Sequence, residues 1–271
     1  MALNFLSCET APTASNLKLM TYNIRLDVAS DGENAWTNRK DFLTSQILFL
    51  QPDILGVQEA RPNQIEDLKS KLVGYDYIGD GRDGGKEGEH SAIYYATENL
   101  KVEQAQTFWL SPTPNEFSKG WDAAYPRICT FGLFTKLDNQ EKFWVFNTHL
   151  DHVGAEAQKE GMKLILERMA KVNARKYPVV VMGDFNVEPQ SEVIAVTQTV
   201  LSDAKELAKI KFGPNGTFNG FKFENPVTRR IDYILLSKSS NFKVEKYAVF
   251  SSTIDFKFPS DHFPVFVELK L

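Results

Sequence analysis

Several common classes are excluded by what this chain lacks. Its 271 residues hold only two cysteines, Cys8 and Cys129, too few for a disulfide framework. No group of cysteines and histidines has zinc-site spacing. There is no G-x-S-x-G elbow, which argues against an α/β-hydrolase. The run Gly79-Asp80-Gly81-Arg82-Asp83-Gly84-Gly85-Lys86-Glu87-Gly88-Glu89 lacks the GK[ST] ending and the following helix of a Walker A loop. It reads instead as a mobile loop beside a site. No apolar run approaches the roughly 20 residues of a membrane span. Neither sign of charge dominates: the net charge is -4 and the isoelectric point is near 5.7. Without a broad cationic surface, tight sequence-independent binding to long nucleic acid is disfavoured, because it rests on many phosphate contacts. A small cationic pocket stays open.

Composition is otherwise that of a globular protein, and the length suffices for one large domain with a sizeable core. With no low-complexity linker, a single domain over residues 17–271 is expected, as a monomer. Residues 1–16 read as a flexible leader or a processed N-terminal remnant. Phe5-Leu6-Ser7-Cys8 faintly resembles a bacterial lipoprotein cleavage site, without the basic and long apolar regions of a signal peptide. A trimmed signal would mean an exported, periplasmic or lipid-anchored protein; otherwise the soluble chain would be cytoplasmic. Cys129, in the strand-like Ile128-Cys129-Thr130-Phe131, is expected as an inert core thiol.

What is present is a series of apolar runs that end in polar residues. The clearest is Pro178-Val179-Val180-Val181, a buried-strand signal leading into Met182-Gly183-Asp184-Phe185-Asn186. A carboxylate and a carboxamide two residues apart, just past such a strand, lie at a sheet edge where α/β proteins build sites. A weak internal echo runs through the chain. Residues 17–23 (strand), 38–51 (helix) and 52–59 (strand) are followed later by 142–149 (strand), 156–175 (helix) and 177–186 (strand). The second helix places Ala157, Gly161, Leu164, Ile165, Met169 and Val172 on one face. Shorter strands are expected at 75–79, 91–96, 105–110 and 128–137, a short helix near 190–198, and closing strands near 243–251 and 263–270. Strands with helices between only some of them suggest a mixed sheet system.

Each polar strand end has a bland reading. Glu59 could pair with Arg25 or Arg61, Asn23 could cap a turn, and His149 could be structural. Asp232 interrupts an apolar run and must hydrogen-bond something specific, while Ser260-Asp261-His262 could be a turn. Together, two histidines supply proton transfer near neutral pH, and the carboxylates supply hard oxygens suited to Mg²⁺ or Mn²⁺.

The ordered series Thr21-Tyr22-Asn23, Val57-Gln58-Glu59, Asn147-Thr148-His149-Leu150, Gly183-Asp184-Phe185-Asn186, Ile231-Asp232-Tyr233 and Ser260-Asp261-His262 resembles the endonuclease/exonuclease/phosphatase superfamily. Each motif is weak alone; six in order, over nearly the whole chain, are specific. The resemblance implies an α/β fold, a four-layer α/β/β/α sandwich with two packed mixed β-sheets. It also implies divalent-metal phosphoester hydrolysis by water without a covalent enzyme intermediate. Under it, Glu59 is the main metal ligand, supported by Asn23 and Asp261. Asp184 orients or deprotonates water, or holds a second metal. Asn186 contacts the scissile phosphate, Asp232 fixes the tautomer of His262, and His149 is the second histidine. Glu89 falls where a relative has a glutamate supporting that histidine, and Arg127 falls near a phosphate-contacting arginine. The abasic-site branch carries an aspartate where this chain has Arg25, which weakens that reading. The segments around Gly79, Trp109 and Trp121 resemble a bacterial and fungal subgroup of metal-dependent hydrolases whose substrate the resemblance does not fix.

The expected function is therefore a Mg²⁺- or Mn²⁺-dependent phosphodiesterase or phosphatase acting on a small phosphorylated substrate. A nuclease on DNA or RNA and a catalytically silent binding module on the same fold are the alternatives. Trp109, Trp121, Asp122 and Arg127 are candidate walls of a compact pocket, with core burial of both tryptophans as the other reading.

Overall fold

The computed structural model describes residues 16–271, so Cys8 and almost all of the expected leader lie outside the described residues. The first half of the chain runs β1 (Leu17–Asn23), α1 (Trp36–Leu50), β2 (Ile54–Gln58), α2 (Pro62–Lys71), β3 (Tyr75–Ile78) and β4 (Ile93–Ala96). Next come β5 (Leu100–Trp109), β6 (Ile128–Lys136), β7 (Lys142–His149), α3 (Ala155–Val172), β8 (Val179–Asp184) and α4 (Glu192–Thr197). The remainder is β9 (Leu201–Asp203), α5 (Ala204–Leu207), β10 (Ile210–Phe212), β11 (Asp232–Ser237), β12 (Lys243–Val249) and β13 (Val265–Lys270).

The strands form two mixed sheets, ordered β10-β12-β13-β1-β2-β4-β3 and β5-β6-β7-β8-β11-β9. The repeated strand-helix-strand pattern is real: β1 and β2 are parallel around α1, and β7 and β8 are parallel around α3. Side-chain alternation builds the layers. Leu17 and Leu19 of β1, with Val180 and Met182 of β8, enter the core between the sheets. Met20 and Tyr22 of β1 turn the other way, onto Leu43 and Ile47 of α1 and Ile65 and Leu68 of α2. Val179 and Val181 of β8 turn outward onto Met162 and Ile165 of α3 and Val193 and Ile194 of α4. Helices on both outer faces complete a four-layer α/β/β/α sandwich. On α3, Ala157, Gly161 and Ile165 are buried, and Leu164, Met169 and Val172 pack partly buried against the same core. Cys129 is a buried free thiol, pushed above its ordinary range by burial.

A polar key crosses the apolar interface. Asn147 of β7 donates through Nδ2 to the carbonyls of Val57 and Ala92, both at 2.9 Å, and its Oδ1 accepts from Gln58 Nε2 at 2.7 Å. Gly56 leaves room for it, since a Cβ there would lie 2.8 Å from Asn147 Oδ1.

Two expectations need correction. The helix α2 was not foreseen, because its only buried apolar residues are Ile65 and Leu68, too few to print a periodic signal. β5 begins five residues before the expected 105, since its first half is a sheet edge that polar side chains can occupy. Among the described residues, no helix is long and apolar enough to cross a membrane.

Candidate active site

The parallel strands of both sheets end at the same side of the sandwich, and their last residues converge. Asn23 closes β1 and is fully buried. Its Nδ2 donates to Glu59 Oε1 at 3.0 Å and to Asp184 Oδ2 at 2.9 Å, so one amide spans the two sheets. Glu59, just past β2, sits at φ +64°, and its Oε2 accepts from Leu26 N at 2.9 Å. A non-glycine residue in that region is uncommon and is held there by its surroundings. Among the described residues Glu59 makes no ion pair with Arg25 or Arg61. Arg25 is taken by Asp31, at 2.9 Å through two nitrogens, and its Nη1 stands 3.8 Å from Asp261 Oδ2.

Asp184 and Asp232 face each other across the antiparallel pair β8/β11. His262 Nδ1 lies 2.9 Å from Asp232 Oδ2, and its Nε2 lies 3.7 Å from Asp184 Oδ2. The imidazole thus stands between two buried carboxylates. Burial opposes its charge, but Asp232 and Asp184 override that and raise its pKa to about 10. Asp232 Oδ1 is buried without a partner. His149 behaves oppositely: burial, then Arg127 and His262, hold its pKa well below the ordinary value, so its ring is neutral. Its Nε2 is 3.0 Å from Asn186 Nδ2 and 3.4 Å from Asp184 Oδ2. Asn186, at φ +54°, also donates to Leu150 O at 3.0 Å. One neutral and one charged imidazole beside a shared carboxylate form an acid-base set with separated roles.

The acidic residues are crowded. Burial and then Asp232 raise the Asp184 carboxyl to about 7, and burial together with Glu59 raises Asp261 to about 6. A hard divalent cation would relieve this crowding and suits an all-oxygen donor set. Asp184, Asp232 and His262 offer ligand atoms within 4.8 Å of one another. His262, however, is committed to Asp232 and charged, so it has no lone pair to give. Glu59, Asp184 and Asp261 bring carboxylate oxygens to the same cleft, and Asn23 bridges the first two through its Nδ2 while its Oδ1 accepts from Arg25 N at 3.0 Å.

Most of the sequence-predicted residues come together. Glu59, Glu89, Arg127, His149, Asp184, Asn186, Asp261 and His262 line one cleft of about 550 Å³, with Asn23 and Asp232 beneath it. Three expectations differ. Glu89 is ion-paired with Arg82 at 2.7 Å and makes no hydrogen bond to His149 among the described residues, because Arg82, tied to it through the backbone at 2.9 Å, takes the carboxylate. The glycine-rich segment does lie beside the site, yet it is pinned by the Gly81–Gly85, Arg82–Glu89 and Asp83–Glu87 backbone hydrogen bonds. Neither tryptophan lines the cleft. Trp109 donates its indole N–H to Arg82 O at 2.7 Å, and Asp122 accepts from Ala157 N at 2.8 Å at the start of α3.

Other residues were not foreseen. Tyr125, His152, Arg82 and Phe218 line the cleft. Buried Asp151 and Arg39 support it. Arg39 donates to the carbonyls of Ile24, Arg25, Asn34 and Pro259, tying the loop after β1 to the one that carries Asp261 and His262. The available signals were Asp151-His152 directly after the His149 motif, and an arginine on the buried face of α1.

A sequence model of the Endonuclease/Exonuclease/phosphatase family matches residues 20–262. The chain belongs to this family. A mannosyl-6-phosphatase of Bacteroides thetaiotaomicron is 38% identical to this family member, with a TM-score of 0.89 over 94% of the present chain and 100% of that one. An uncharacterized protein of Acanthamoeba polyphaga mimivirus is 28% identical over 56% of the chain and 60% of its own length. Nocturnin of Drosophila melanogaster is 24% identical over 97% of the chain and 48% of its own. The chain therefore spans about half the length of these last two relatives.

Proposed function

We propose that this family member is a divalent-metal-dependent hydrolase of a compact phosphoester, with sugar phosphates as the leading substrate class. The observation that carries the reading is the row Asp232–His262–Asp184 opening, with neutral His149, Asn186 and Arg127, into a single cleft of about 550 Å³. Glu59, Asn23, Asp261 and Asp184 would hold Mg²⁺ or Mn²⁺, which when bound neutralises phosphoryl oxygens and acidifies water. The chain's own groups do the rest. Arg127 and the His262 imidazolium would face the phosphoryl oxygens and stabilise charge that grows in the transition state, and Asn186 would join them by exchanging one of the bonds its Nδ2 makes to His149 and Leu150. Asp184 Oδ2 or His149 receives the proton of the attacking water. The water oxygen bonds to phosphorus, the bond to the alkoxide oxygen breaks, and a proton returns to that oxygen. The 38%-identical mannosyl-6-phosphatase supports a sugar as the leaving group. A net charge of -4 supports a small substrate over a duplex, since long-range steering of a polyanion is missing.

The test is a phosphoester panel with Mg²⁺, Mn²⁺ or EDTA, spanning sugar phosphates, inositol phosphates, phospholipid head groups and nucleic acids. The expected result is metal-dependent release of phosphate from a sugar phosphate, with weak dependence on salt because few phosphates are contacted. Plasmid cleavage as efficient as the best small phosphoester, with a steep salt slope, would move the assignment to a nuclease.

A further inference from the structure

One wall of the cleft is built from two rings that the hydrophobic core does not use. Tyr125 is 51% exposed, yet its ring is stacked on that of His152, with centroids 5.9 Å apart and planes 15° from parallel. Both rings belong to loops, and a single buried carboxylate braces the two loops. Asp151 Oδ1 accepts from the backbone N–H of Ala124 at 3.1 Å, Val153 at 3.0 Å and Gly154 at 2.8 Å. Its Oδ2 accepts from Tyr125 N and Arg127 Nε, both at 3.3 Å. The Arg82 guanidinium adds a contact 5.1 Å from the centre of the Tyr125 ring. Ordering two half-open loops costs conformational entropy. Burying a carboxylate to hold exposed rings parallel at a cleft mouth returns no apolar burial, so the arrangement serves something that enters the cleft.

The free valences of the two rings are polar. Arg127 Nη2 lies 3.1 Å from His152 Nδ1. A guanidinium only donates, so Nδ1 accepts and the ring proton sits on Nε2. The Tyr125 hydroxyl has no partner among the described residues. A flat apolar face with one hydroxyl and one N–H at its margin complements a sugar ring, whose C–H face packs on an aromatic ring while its hydroxyls take the polar groups. Of the cationic groups lining the cleft, His262 and Arg127 are buried, Arg25 and Arg82 are ion-paired with Asp31 and Glu89, Arg229 stands 3.6 Å from Glu188, and Arg61 is exposed on the rim away from the two rings. The outer wall is therefore left for the alcohol that leaves.

Resting on the phosphoesterase reading above, we infer that Tyr125 and His152, braced by Asp151, form the subsite that recognises the leaving alcohol, a pyranose-like polyol, and set the preference of this enzyme for sugar phosphates over simple alkyl phosphates.

The test compares wild type, Tyr125→Ala, Tyr125→Phe and His152→Ala on three substrates with Mg²⁺: a hexose phosphate, ethyl phosphate and adenosine monophosphate. Thermal melts accompany each variant. The readout is the ratio of kcat/KM for the hexose phosphate to that for ethyl phosphate. Tyr125→Ala and His152→Ala should each lower the ratio about tenfold or more, mainly through KM, as expected for a lost specificity contact. Tyr125→Phe, which keeps the ring, should fall between Tyr125→Ala and wild type. Ratios within about twofold of wild type in folded variants would overturn the subsite and leave the phosphoesterase standing. A loss confined to adenosine monophosphate would make the wall a base platform and overturn the polyol assignment. A wild type that cleaves none of the three, and no other member of the wider panel, would remove both readings.

Discussion

Replacing Asp151 by asparagine separates the brace from everything else in the site. The new amide oxygen can stand in for Oδ1 and keep the Ala124, Val153 and Gly154 N–H groups satisfied. Its NH₂ then points at Tyr125 N–H and Arg127 Nε–H, donor against donor, where Oδ2 accepted both. The side chains of Asp151 and Arg127 are 0% and 7% exposed, so the guanidinium loses its carboxylate in a largely dry setting. Removing one partner of a buried ion pair costs roughly 3–5 kcal/mol. Arg127 keeps its His152 contact and borders an open cleft, so the lower end, about 3 kcal/mol, is expected. At this chain length that is a fall in Tm of about 6–12 °C. The pH dependence has a definite sign. Burial disfavours the Asp151 carboxylate, but the Gly154, Ala124 and Val153 N–H groups and Arg127 outweigh it and hold its pKa well below the usual range. A depressed native pKa contributes stability that is fully present above the unfolded value, near 3.9, and is lost as pH falls through the lower native value. The gap between wild type and Asp151→Asn should therefore be full at neutral pH and begin to close below about pH 4. Melts of both proteins across that range measure it. A Tm within about 2 °C of wild type at neutral pH, or a gap that widens in acid, would refute the reasoning.

Further expectations concern the chemistry and the scaffold. Glu59→Gln should raise the Mg²⁺ concentration needed for half-maximal activity more than any other single change at the strand ends; full activity of metal-stripped wild type in excess EDTA would end the metal assignment. His262→Ala and His149→Ala should each lower kcat by about 10²–10⁴-fold; the His149 change should move Tm little, whereas His262→Ala leaves the buried Asp232 carboxylate without its partner and should lower Tm as well, and undiminished activity in the folded fraction of either variant would mark that histidine as structural. Gly183→Ala should destabilise by about 3 kcal/mol or more, because φ is +142° and the added Cβ would lie 1.9 Å from Thr148 O; urea unfolding gives the value, and a near-neutral result would contradict the geometry.

The sequence revealed the strand ends and hid the loops, for a physical reason. Asn23, Glu59, His149 and Asp184 are polar residues that terminate apolar runs, and burying such a group without a purpose is costly, so their type and place already carry meaning. The helix near residues 156–175 was legible because an amphipathic face repeats on one period, and it ends at Val172, close to that expectation. α2 has no such repetition. The cleft wall is less legible still. Tyr125 and His152 meet because Asp151 gathers N–H groups from two segments, and although Asp151-His152 stands beside the His149 motif, nothing in it points to Tyr125. Trp109 and Trp121 were candidates on size and proximity alone, and size does not say which way a ring points. The indole of Trp109 serves the Arg82 carbonyl instead.

The Asn147 key has a mechanical meaning. An apolar interface between two sheets is smooth to small translations, because one methyl contact replaces another at little cost. An amide that must find the Val57 and Ala92 carbonyls and the Gln58 carboxamide has one acceptable position. It acts as a dowel between two plates. Glu59 rides on one plate and His149 on the other, one or two residues from the dowel on β2 and β7, with Asp184 paired to His149 on the neighbouring β8, so the reach between them is gauged close to where it is used. Wear elsewhere in the interface can be absorbed by repacking; slippage at the dowel would be read directly as misalignment of the reacting groups.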